Sequence, residues 1–215
     1  MKKILFIFIF IIIPYQTLSS QIAIGVNAQT FFETLYFKNN KYEYKDVKGT
    51  PYLNPNFQVA DIGNYKDIPT RYNSYTDSFE FKKDDLIYIV PKEDNLSKIF
   101  FKTTGKTFIL TTLDNTKVYL EQISSNPLVM KKITTIFKDL KKASSSYEQD
   151  VPPSFENIPP KYYISKDGKL IEFSKKSVSA NFSEKEKALK NFMKQNNLSF
   201  EKESDLAKIA DFLLK

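Results

Sequence analysis

The hydrophobic and polar positions of the chain follow three different patterns. Ile4 to Ile13 is an unbroken apolar run, residues 31–137 alternate short apolar segments with turn residues, and two stretches after residue 183 repeat apolar positions at helical spacing. Turn residues at intervals of about eight to twelve positions are typical of an antiparallel meander or a small barrel. We therefore predict an α+β protein, with a mainly antiparallel β-meander or small barrel-like domain, a proline-containing linker, and a C-terminal β-hairpin with two α-helices.

Several turns and strands of the first domain can be placed. With Thr104-Gly105 as a two-residue loop, Phe101 would pair with Phe108, and Asp114-Asn115 suits a second tight turn. Between Leu128 and Lys142, helical spacing competes with a β-branched run, and the β-branched residues favour a strand. The other predicted strands are Gln58 to Ile62, Thr70 to Tyr75, Ser78 to Phe81 and Leu86 to Val90.

The C-terminal part carries stronger local signals. Asp167-Gly168 suits a two-residue hairpin turn, because both positions of such a turn need a positive φ. Ser183, with Glu186 three residues later, matches a capping box, and Ser204 suits the N-cap of a second helix. The segment 146–160 contains four prolines within nine residues and is predicted to be an extended linker.

The N-terminal segment predicts export. Two lysines precede the apolar run, which at ten residues suits the core of a signal peptide, whereas a spanning helix needs about 20. Cleavage after Ser20 would leave Gln21 as the first residue. A second site after Ala28 also has small residues, but it leaves a long spacer behind the apolar run, so we favour Ser20. We expect a periplasmic or outer-envelope protein whose mature chain has no transmembrane helix.

The predicted organisation has four parts. These are a signal peptide (1–20), a β-rich domain (21–145), a linker (146–160) and a hairpin with two helices (161–215). Removing the two lysines of the signal peptide lowers the formal net charge from +7 to +5. Every cation except Arg71 is lysine, which lacks the planar fork that bidentate recognition of phosphates and bases favours. For an exported protein with this composition we expect no nucleic-acid partner.

The composition also excludes several kinds of chemistry. The chain contains no His, Cys or Trp, so Ser-His-Asp triads, thiol nucleophiles and imidazole or thiolate metal sites are excluded. Gly105-Lys106-Thr107 resembles the end of a phosphate-binding loop, but Phe100 stands where that loop needs glycine, and strand residues follow it. Asp84-Asp85 is better interpreted as a turn than as calcium ligands. We expect no cofactor and no bound metal.

Candidate binding residues gather around Arg71. If residues 70–75 pair with residues 78–81 around a two-residue loop at Thr76-Asp77, Arg71 lies at a strand end near Lys82. It could anchor a partner in a tyrosine-lined patch, or it could hold a carboxylate or a carbonyl of its own fold. Rigid β domains often hold strand ends in the second way, which favours the structural interpretation. The candidate binding residues are Arg71, Tyr72, Tyr75, Asp77 and Tyr52.

Three blocks of the sequence support a resemblance. The segments Val47–Asn54, Asp67–Asn73 and Asn197–Leu206 resemble those of a group of exported envelope proteins from one Gram-negative bacterial lineage. The resemblance covers most of the mature chain. It implies export and a β-rich first domain with a helical end, and it brings no activity with it.

Two functions follow as hypotheses. With few catalytic residue types and many tyrosines in strands, the expected function is a non-catalytic module that binds a protein or glycan partner in the envelope. The alternative is a carboxylate-dependent hydrolase of an envelope polymer, which would need two acidic groups across a cleft, one of them with a raised pKa. A shallow tyrosine patch would favour binding instead. A third hypothesis, attachment of the C-terminal helices to a membrane surface, predicts release by salt.

Overall fold

The structure is a computed structural model that describes residues 47–145 and 147–215. The predicted signal peptide and both cleavage sites lie outside these residues. Within them the chain forms ten β-strands and three α-helices. The strands are β1 (Gln58–Ile62), β2 (Tyr65–Asn73), β3 (Ser78–Lys83), β4 (Leu86–Ile89), β5 (Lys98–Phe101), β6 (Thr107–Leu113), β7 (Thr116–Ser125), β8 (Leu128–Lys138), β9 (Ser154–Lys166) and β10 (Lys169–Glu172). The helices are α1 (Lys175–Asn181), α2 (Glu186–Gln195) and α3 (Glu203–Leu214).

All ten described strands belong to one sheet in which every neighbouring pair is antiparallel. The order β10-β9-β8-β7-β6-β5-β1-β2-β3-β4 consists of two meanders that meet where β5 pairs with β1. The mainly antiparallel sheet with a C-terminal hairpin and helices is confirmed. The barrel-like closure is wrong, because β4 and β10 remain the two edges of an open sheet and form no ladder with each other.

The sheet nevertheless bends back on itself. In a flat sheet β2 and β8, five neighbours apart, would lie about 24 Å from each other, at about 4.8 Å per strand. Instead the backbone N–H of Thr135 in β8 donates to the carbonyl of Ser74, which directly follows β2, at 3.1 Å. The side-chain oxygens of the same two residues are 2.6 Å apart. The bend encloses an apolar core between the two halves of the sheet.

The described residues form two large hydrophobic cores, besides a small cluster around Phe155. The first lies inside the bent sheet and consists of Ala60, Ile62, Tyr72, Phe79, Val90, Ile99, Phe101, Phe108 and Tyr119. The second lies where the three helices cover the β7–β10 end, and it consists of Val129, Ile164, Phe173, Val178, Phe182, Leu189, Leu206, Ile209, Ala210 and Leu213. The strand predicted between residues 128 and 142 is confirmed as β8, which contributes to both cores through Val129 and Ile133.

Two predicted turns are confirmed and one predicted register is wrong. Asp114-Asn115, with φ of 47° and 64°, and Asp167-Gly168, with φ of 50° and 75°, both form two-residue turns. In the β5–β6 hairpin, however, Phe101 donates its N–H to the Lys106 carbonyl, and Phe108 lies opposite Ile99. The loop is thus two residues longer than predicted. A shift by two keeps each side chain on its face, so the apolar face is unchanged.

The β2–β3 register also differs from the prediction. Asn73 pairs with Ser78, and Arg71 therefore lies opposite Glu80 rather than near Lys82. The longer loop follows from the Asn73 side chain, whose Oδ1 accepts the backbone N–H groups of Tyr75 and Thr76, each at 3.1 Å. An asparagine that bonds the backbone two and three residues ahead stabilises a turn of its own.

Part of the segment predicted as a linker is strand. Residues 154–160 belong to β9 and pair with β8. Pro159 and Pro160 lie at the register shift between the pairs Lys132–Lys161 and Thr134–Ile158. Proline has no N–H to donate to a ladder, and a shift in register is where a strand tolerates it. The proline-rich composition signalled extended backbone but did not reveal that this backbone is paired.

The predicted helix caps are wrong. Ser183 lies in a 3₁₀ turn, Ser183–Lys185, and α2 begins after it without a side-chain cap. Helix α3 begins at Glu203, one residue before the predicted cap Ser204, and also lacks a side-chain cap. A capping box does occur, between Ser174 and Ser177 at the start of α1, a helix that was not predicted. The apolar stripe predicted for α3 is confirmed, since Leu206, Ile209, Ala210 and Leu213 are buried.

Candidate functional site

Arg71 is held by three groups of its own fold. Its Nε donates to Glu80 Oε2 at 2.9 Å, and its Nη2 lies 2.7 Å from the same oxygen. Its Nη1 donates to the Pro55 carbonyl at 3.2 Å, and its Nη2 donates to the Tyr52 hydroxyl at 2.8 Å. The guanidinium also lies over the ring of Tyr52, 3.8 Å from its centroid. The cation thus links the β2–β3 hairpin to the segment that precedes β1.

A pocket of about 240 Å³ lies beside this arginine. Its apolar wall consists of Leu53 and three rings of the first core, Tyr72, Phe101 and Phe108, and its polar wall consists of Asn54, Gln58, Arg71, Thr104 and Lys106. We call this the Arg71 pocket. The neighbouring strands β6, β5, β1 and β2 all contribute to it, together with the segment before β1. It combines an apolar inner wall with convergent polar groups, as ligand sites commonly do.

The structure brings three of the five candidate binding residues to this pocket. Arg71 and Tyr72 line it, and Tyr52 lies behind Arg71. Tyr75 lies elsewhere, where its ring meets the edge of Phe155 with centroids 5.4 Å apart. Asp77 also lies away from the pocket, at the turn between β2 and β3.

Asp77 is the centre of a second polar cluster. Its carboxylate accepts the Tyr72 hydroxyl at 2.6 Å, the Lys92 ammonium at 2.8 Å and the backbone N–H of Tyr119 at 3.3 Å. It also forms an ion pair with Lys132 of β8. This carboxylate therefore joins the β2–β3 turn to the opposite half of the bent sheet.

Burial shifts the pKa values around Asp77. Burial, followed by the charge of Asp77, raises the pKa of Tyr72 well above its ordinary value and that of Tyr119 to about 12. Burial lowers the pKa of Lys132, against the opposing effect of Asp77. Both phenols are therefore neutral near pH 7 and act as packing and hydrogen-bonding groups.

A third polar cluster joins strands β7, β8 and β9 to helix α3. Glu121 is nearly buried, with 5% of its side chain exposed, and pairs through Oε1 with Lys106 at 2.8 Å. Its Oε2 lies 3.9 Å from the ammonium of Lys131, which itself pairs with Glu203 of α3 at 2.6 Å. Tyr162 donates its hydroxyl to Glu203 at 2.9 Å. We call these five residues the polar seam, and Lys106 belongs to both the seam and the pocket.

Helix α3 is tied to the sheet through the seam. Burial opposes ionisation of Glu203, but the hydrogen bonds from Lys131 and Tyr162 lower its pKa below the ordinary value. Burial and the hydrogen bond to Glu203 raise the pKa of Tyr162. The carboxylate and the phenol are thus held in the protonation states that keep their hydrogen bond intact.

The sequence analysis missed most of the residues that line the Arg71 pocket. Thr104 was assigned only to a hairpin loop, Lys106 was considered only in the rejected phosphate-loop match, and Phe101 and Phe108 were assigned only to the apolar face of the hairpin. Gln58 was predicted only as the first residue of a strand. No motif joins them, because four strands and a preceding segment meet only after the sheet has formed. The signal that could have pointed to Lys106 is its place next to a hairpin whose apolar partners face the core.

A wider depression lies between α2 and α3. It is lined by Ala188, Phe192 and Phe212 together with Lys185, Asp211 and Lys215. Its cations are engaged locally, since Lys185 donates to the Leu213 carbonyl at 2.8 Å and Lys215 pairs with Asp211 at 2.6 Å. The depression is shallow, apolar and without a buried polar group of its own.

Residues 47–145 and 147–215 contain neither a candidate metal cluster nor a helix that could span a membrane. No group of three or more acidic side chains there is arranged to hold a metal ion. No helix in the same ranges has the length and apolar character needed to cross a membrane. Comparison with known proteins finds no family model, curated protein or solved structure that matches the chain.

Proposed function

We propose that the protein is an exported, non-catalytic binding module that recognises a protein or a glycan partner in the cell envelope. The Arg71 pocket is the proposed contact site. Its apolar wall offers burial for a ring or an aliphatic group, and its amide, hydroxyl and ammonium groups offer directional hydrogen bonds. Export rests on the short apolar run with its basic flank and small-residue cleavage site.

The volume of the pocket is the observation that carries the proposal. At about 240 Å³ it is smaller than the roughly 300–1,000 Å³ of sites that enclose whole drug-sized ligands. An occupant of this size is one side chain or one sugar unit. The remainder of the partner would lie on the surface around the pocket, as in interfaces where one anchor group fills a pocket and its neighbours exclude water.

The carboxylates near the pocket support binding rather than hydrolysis. Glu80 is engaged by Arg71, and Glu121 by Lys106. A general acid in a hydrolase needs a raised pKa. In the described residues, every carboxyl group whose pKa departs clearly from its ordinary value has a lowered pKa. These groups are Asp61, Asp85, Glu148, Glu156, Glu186 and Glu203.

The proposal is tested by affinity purification from crosslinked cells that export a tagged copy of the protein. Thr104→Tyr places a ring at the mouth of the pocket from an exposed loop position and should remove a partner that enters the pocket. Thr103→Tyr is the matched control, since Thr103 is also exposed on the same loop but does not line the pocket. We expect one envelope component to be recovered in stoichiometric amount with the wild type and the control, and to be lost with Thr104→Tyr.

Two results would contradict the proposal. Recovery of the same component with Thr104→Tyr would show that the pocket is not the contact site. If the wild type recovers no component, the binding module itself is refuted, and turnover of envelope polymers becomes the function to assay. Thermal unfolding of both variants shows whether either substitution has altered the fold.

A further inference from the structure

The two cations of the Arg71 pocket differ in their freedom to bind a ligand. Arg71 donates to Glu80, the Pro55 carbonyl and Tyr52, and 12% of its side chain is exposed. Lys106 has 40% of its side chain exposed, and Glu121 is its one ion-pair partner among the described residues. An ammonium has three N–H donors, so two remain for an occupant of the pocket. Lys106 is therefore the charged group that can contact a ligand.

Glu121, the ion-pair partner of Lys106, has one carboxylate oxygen without a hydrogen bond among the described residues. Its Oε2 is buried and has no hydrogen-bond partner in the described part of the chain, while its Oε1 pairs with Lys106 at 2.8 Å. Glu121 lies directly opposite Phe108, one of the rings that line the pocket. A buried carboxylate that lost its cation would be strongly destabilising unless another cation replaced it. The ammonium of Lys131, 3.9 Å from Oε2, is within reach.

The geometry points to an acidic sugar as the occupant of the Arg71 pocket. We propose that Lys106 binds the carboxylate of a sugar unit there, that this second carboxylate draws the ammonium away from Glu121, and that Lys131 moves closer to Glu121 to compensate its charge. This inference rests on the proposed function. The neutral polar side chains of the pocket, Asn54, Gln58 and Thr104, suit the hydroxyl groups of a sugar, and the pocket volume suits a single ring. A charge-assisted hydrogen bond from the ammonium would be the strongest single contact to such a ligand.

Lys131 connects this event to the helices. Its ammonium pairs with Glu203 in the first turn of α3 at 2.6 Å, and Glu203 also accepts the Tyr162 hydroxyl. A displacement of Lys131 towards Glu121 lengthens its contact with Glu203, while Tyr162 keeps its own. Occupation of the pocket should therefore change the environment of the α3 N-terminus, on the far side of the polar seam.

The test is a titration of the mature, ¹⁵N-labelled protein followed by NMR. The probes are a disaccharide that contains glucuronic acid and the corresponding disaccharide that contains glucose. We expect the acidic probe to shift the amide signals of Thr104, Lys106 and Phe108, and then that of Glu203. We expect its affinity to exceed that of the neutral probe at least tenfold at low salt and to fall as salt is added, as electrostatic contacts do.

Three variants separate recognition from a structural role. Lys106→Gln should weaken binding of the acidic probe at least tenfold. Lys102→Gln should leave it unchanged, since Lys102 is similarly exposed, at 39%, and lies in the same hairpin loop, but pairs with Asp61 and Asp67 and does not line the pocket. Glu121→Gln should tighten binding severalfold, because it removes the internal competitor for Lys106. If the Lys106–Glu121 pair had only a structural role, Lys106→Gln and Glu121→Gln would weaken binding equally.

Each remaining outcome overturns the inference. Equal affinity for the neutral and acidic disaccharides removes the role of the carboxylate. Tighter binding of an acetylated glutamate dipeptide than of the acidic sugar assigns the carboxylate to a protein partner. The absence of shifts at the pocket amides with every probe removes the acidic ligand altogether. None of these results affects the proposed function, which the Thr104→Tyr and Thr103→Tyr purification tests separately.

Discussion

Arg71 and Glu80 form an ion pair that is almost withdrawn from solvent, with side-chain exposures of 12% and 4%. Around it, an aromatic ring and a backbone carbonyl complete the coordination of the cation. Elsewhere in the first core a single hydroxyl, that of Tyr119, is buried with no hydrogen-bond partner among the described residues. One of these sites thus has hydrogen-bond partners and the other has none among the described residues, and each yields a prediction.

Replacing Arg71 with Gln should destabilise the protein by about 3–5 kcal/mol, because Glu80 would remain as a buried charge without its cation. The double variant Arg71→Met/Glu80→Met should recover much of this loss, since an apolar pair leaves no charge unpaired. The measurement is the free energy of unfolding in urea. A double variant as unstable as the single one would show that the arginine acts through packing rather than through charge compensation.

Replacing Tyr119 with Phe should stabilise the protein near pH 7 by up to about 1 kcal/mol, because it removes an unsatisfied buried hydroxyl. It should also change the response to alkali. The pKa of Tyr119 in the folded state is about 12, above its ordinary value of 10.0, so the folded protein binds more protons than the unfolded chain between these values. Stability from this group is therefore complete below pH 10 and is lost as the pH rises towards 12.

The measurement is the free energy of unfolding of the wild type and the variant from pH 7 to pH 12. Tyr119→Phe should give the flatter curve. Tyr147→Phe is the control, because the Tyr147 side chain is 99% exposed and should leave the curve unchanged. Parallel curves for the wild type and Tyr119→Phe would refute the contribution of Tyr119.

The element scale shows how short-range and long-range signals differ. Turns defined by two adjacent residues with positive φ, such as Asp114-Asn115, could be predicted because the preference is local. A register that depends on a side chain hydrogen-bonded to the loop, as with Asn73, could not be predicted. The same holds for helix caps, which depend on where a helix meets the sheet. At this scale the segment before β1 is joined to β9, since the backbone N–H of Phe155 donates to the Lys48 carbonyl at 2.8 Å.

Gly49 makes this junction possible. Its φ is +80°, and a Cβ there would lie 2.4 Å from the Phe155 carbonyl oxygen. Gly168 is the matched control, with a φ of +75° and nothing within 4 Å of a built Cβ. Gly168→Ala should therefore cost only the backbone strain of about 1–2 kcal/mol. Gly49→Ala should cost about 1–3 kcal/mol more, because of overpacking against β9. If both variants lost the same free energy of unfolding, the backbone at the junction would have shifted to accept the new Cβ at no additional cost.

At the scale of the whole molecule, the bend of the sheet is the feature that organises everything else. It brings the β2–β3 turn against β7 and β8, and it forms the first core between the two halves. Asp77 sits at this closure and neutralises Lys92 and Lys132. The Arg71 pocket is lined by four strands that are neighbours in this sheet, β6, β5, β1 and β2.

Asp77→Asn should loosen this closure. Asparagine tolerates the φ of 53° at this position and preserves the size of the side chain, but it leaves the partly buried Lys132 without its counter-charge. We expect a loss of about 3–5 kcal/mol and faster hydrogen exchange at the Thr135 amide, which closes the bend by its bond to Ser74. The measurements are urea unfolding and exchange followed by NMR.

Asp67→Asn is the matched control for the closure. Asp67 also has a positive φ, 58°, and pairs with a lysine, but 67% of its side chain is exposed. An exposed pair contributes about 0–1 kcal/mol, so this variant should remain close to the wild type in both measurements. Unchanged exchange at the Thr135 amide in Asp77→Asn would show that the apolar core alone holds the bend.

By itself, the sequence determined the local features of this protein. Apolar alternation predicted β-strands, adjacent turn-forming residues predicted two hairpins, and a period of 3.6 predicted the buried stripe of α3. Only the tertiary structure decided that the sheet stays open and bends, that prolines 159 and 160 lie within β9, and that Lys106 shares a pocket with Arg71. The physical reason is one of range. Turn and helix preferences act between residues a few positions apart, whereas the pocket and the polar seam join residues from strands distant in the chain, whose meeting depends on the burial of the whole core.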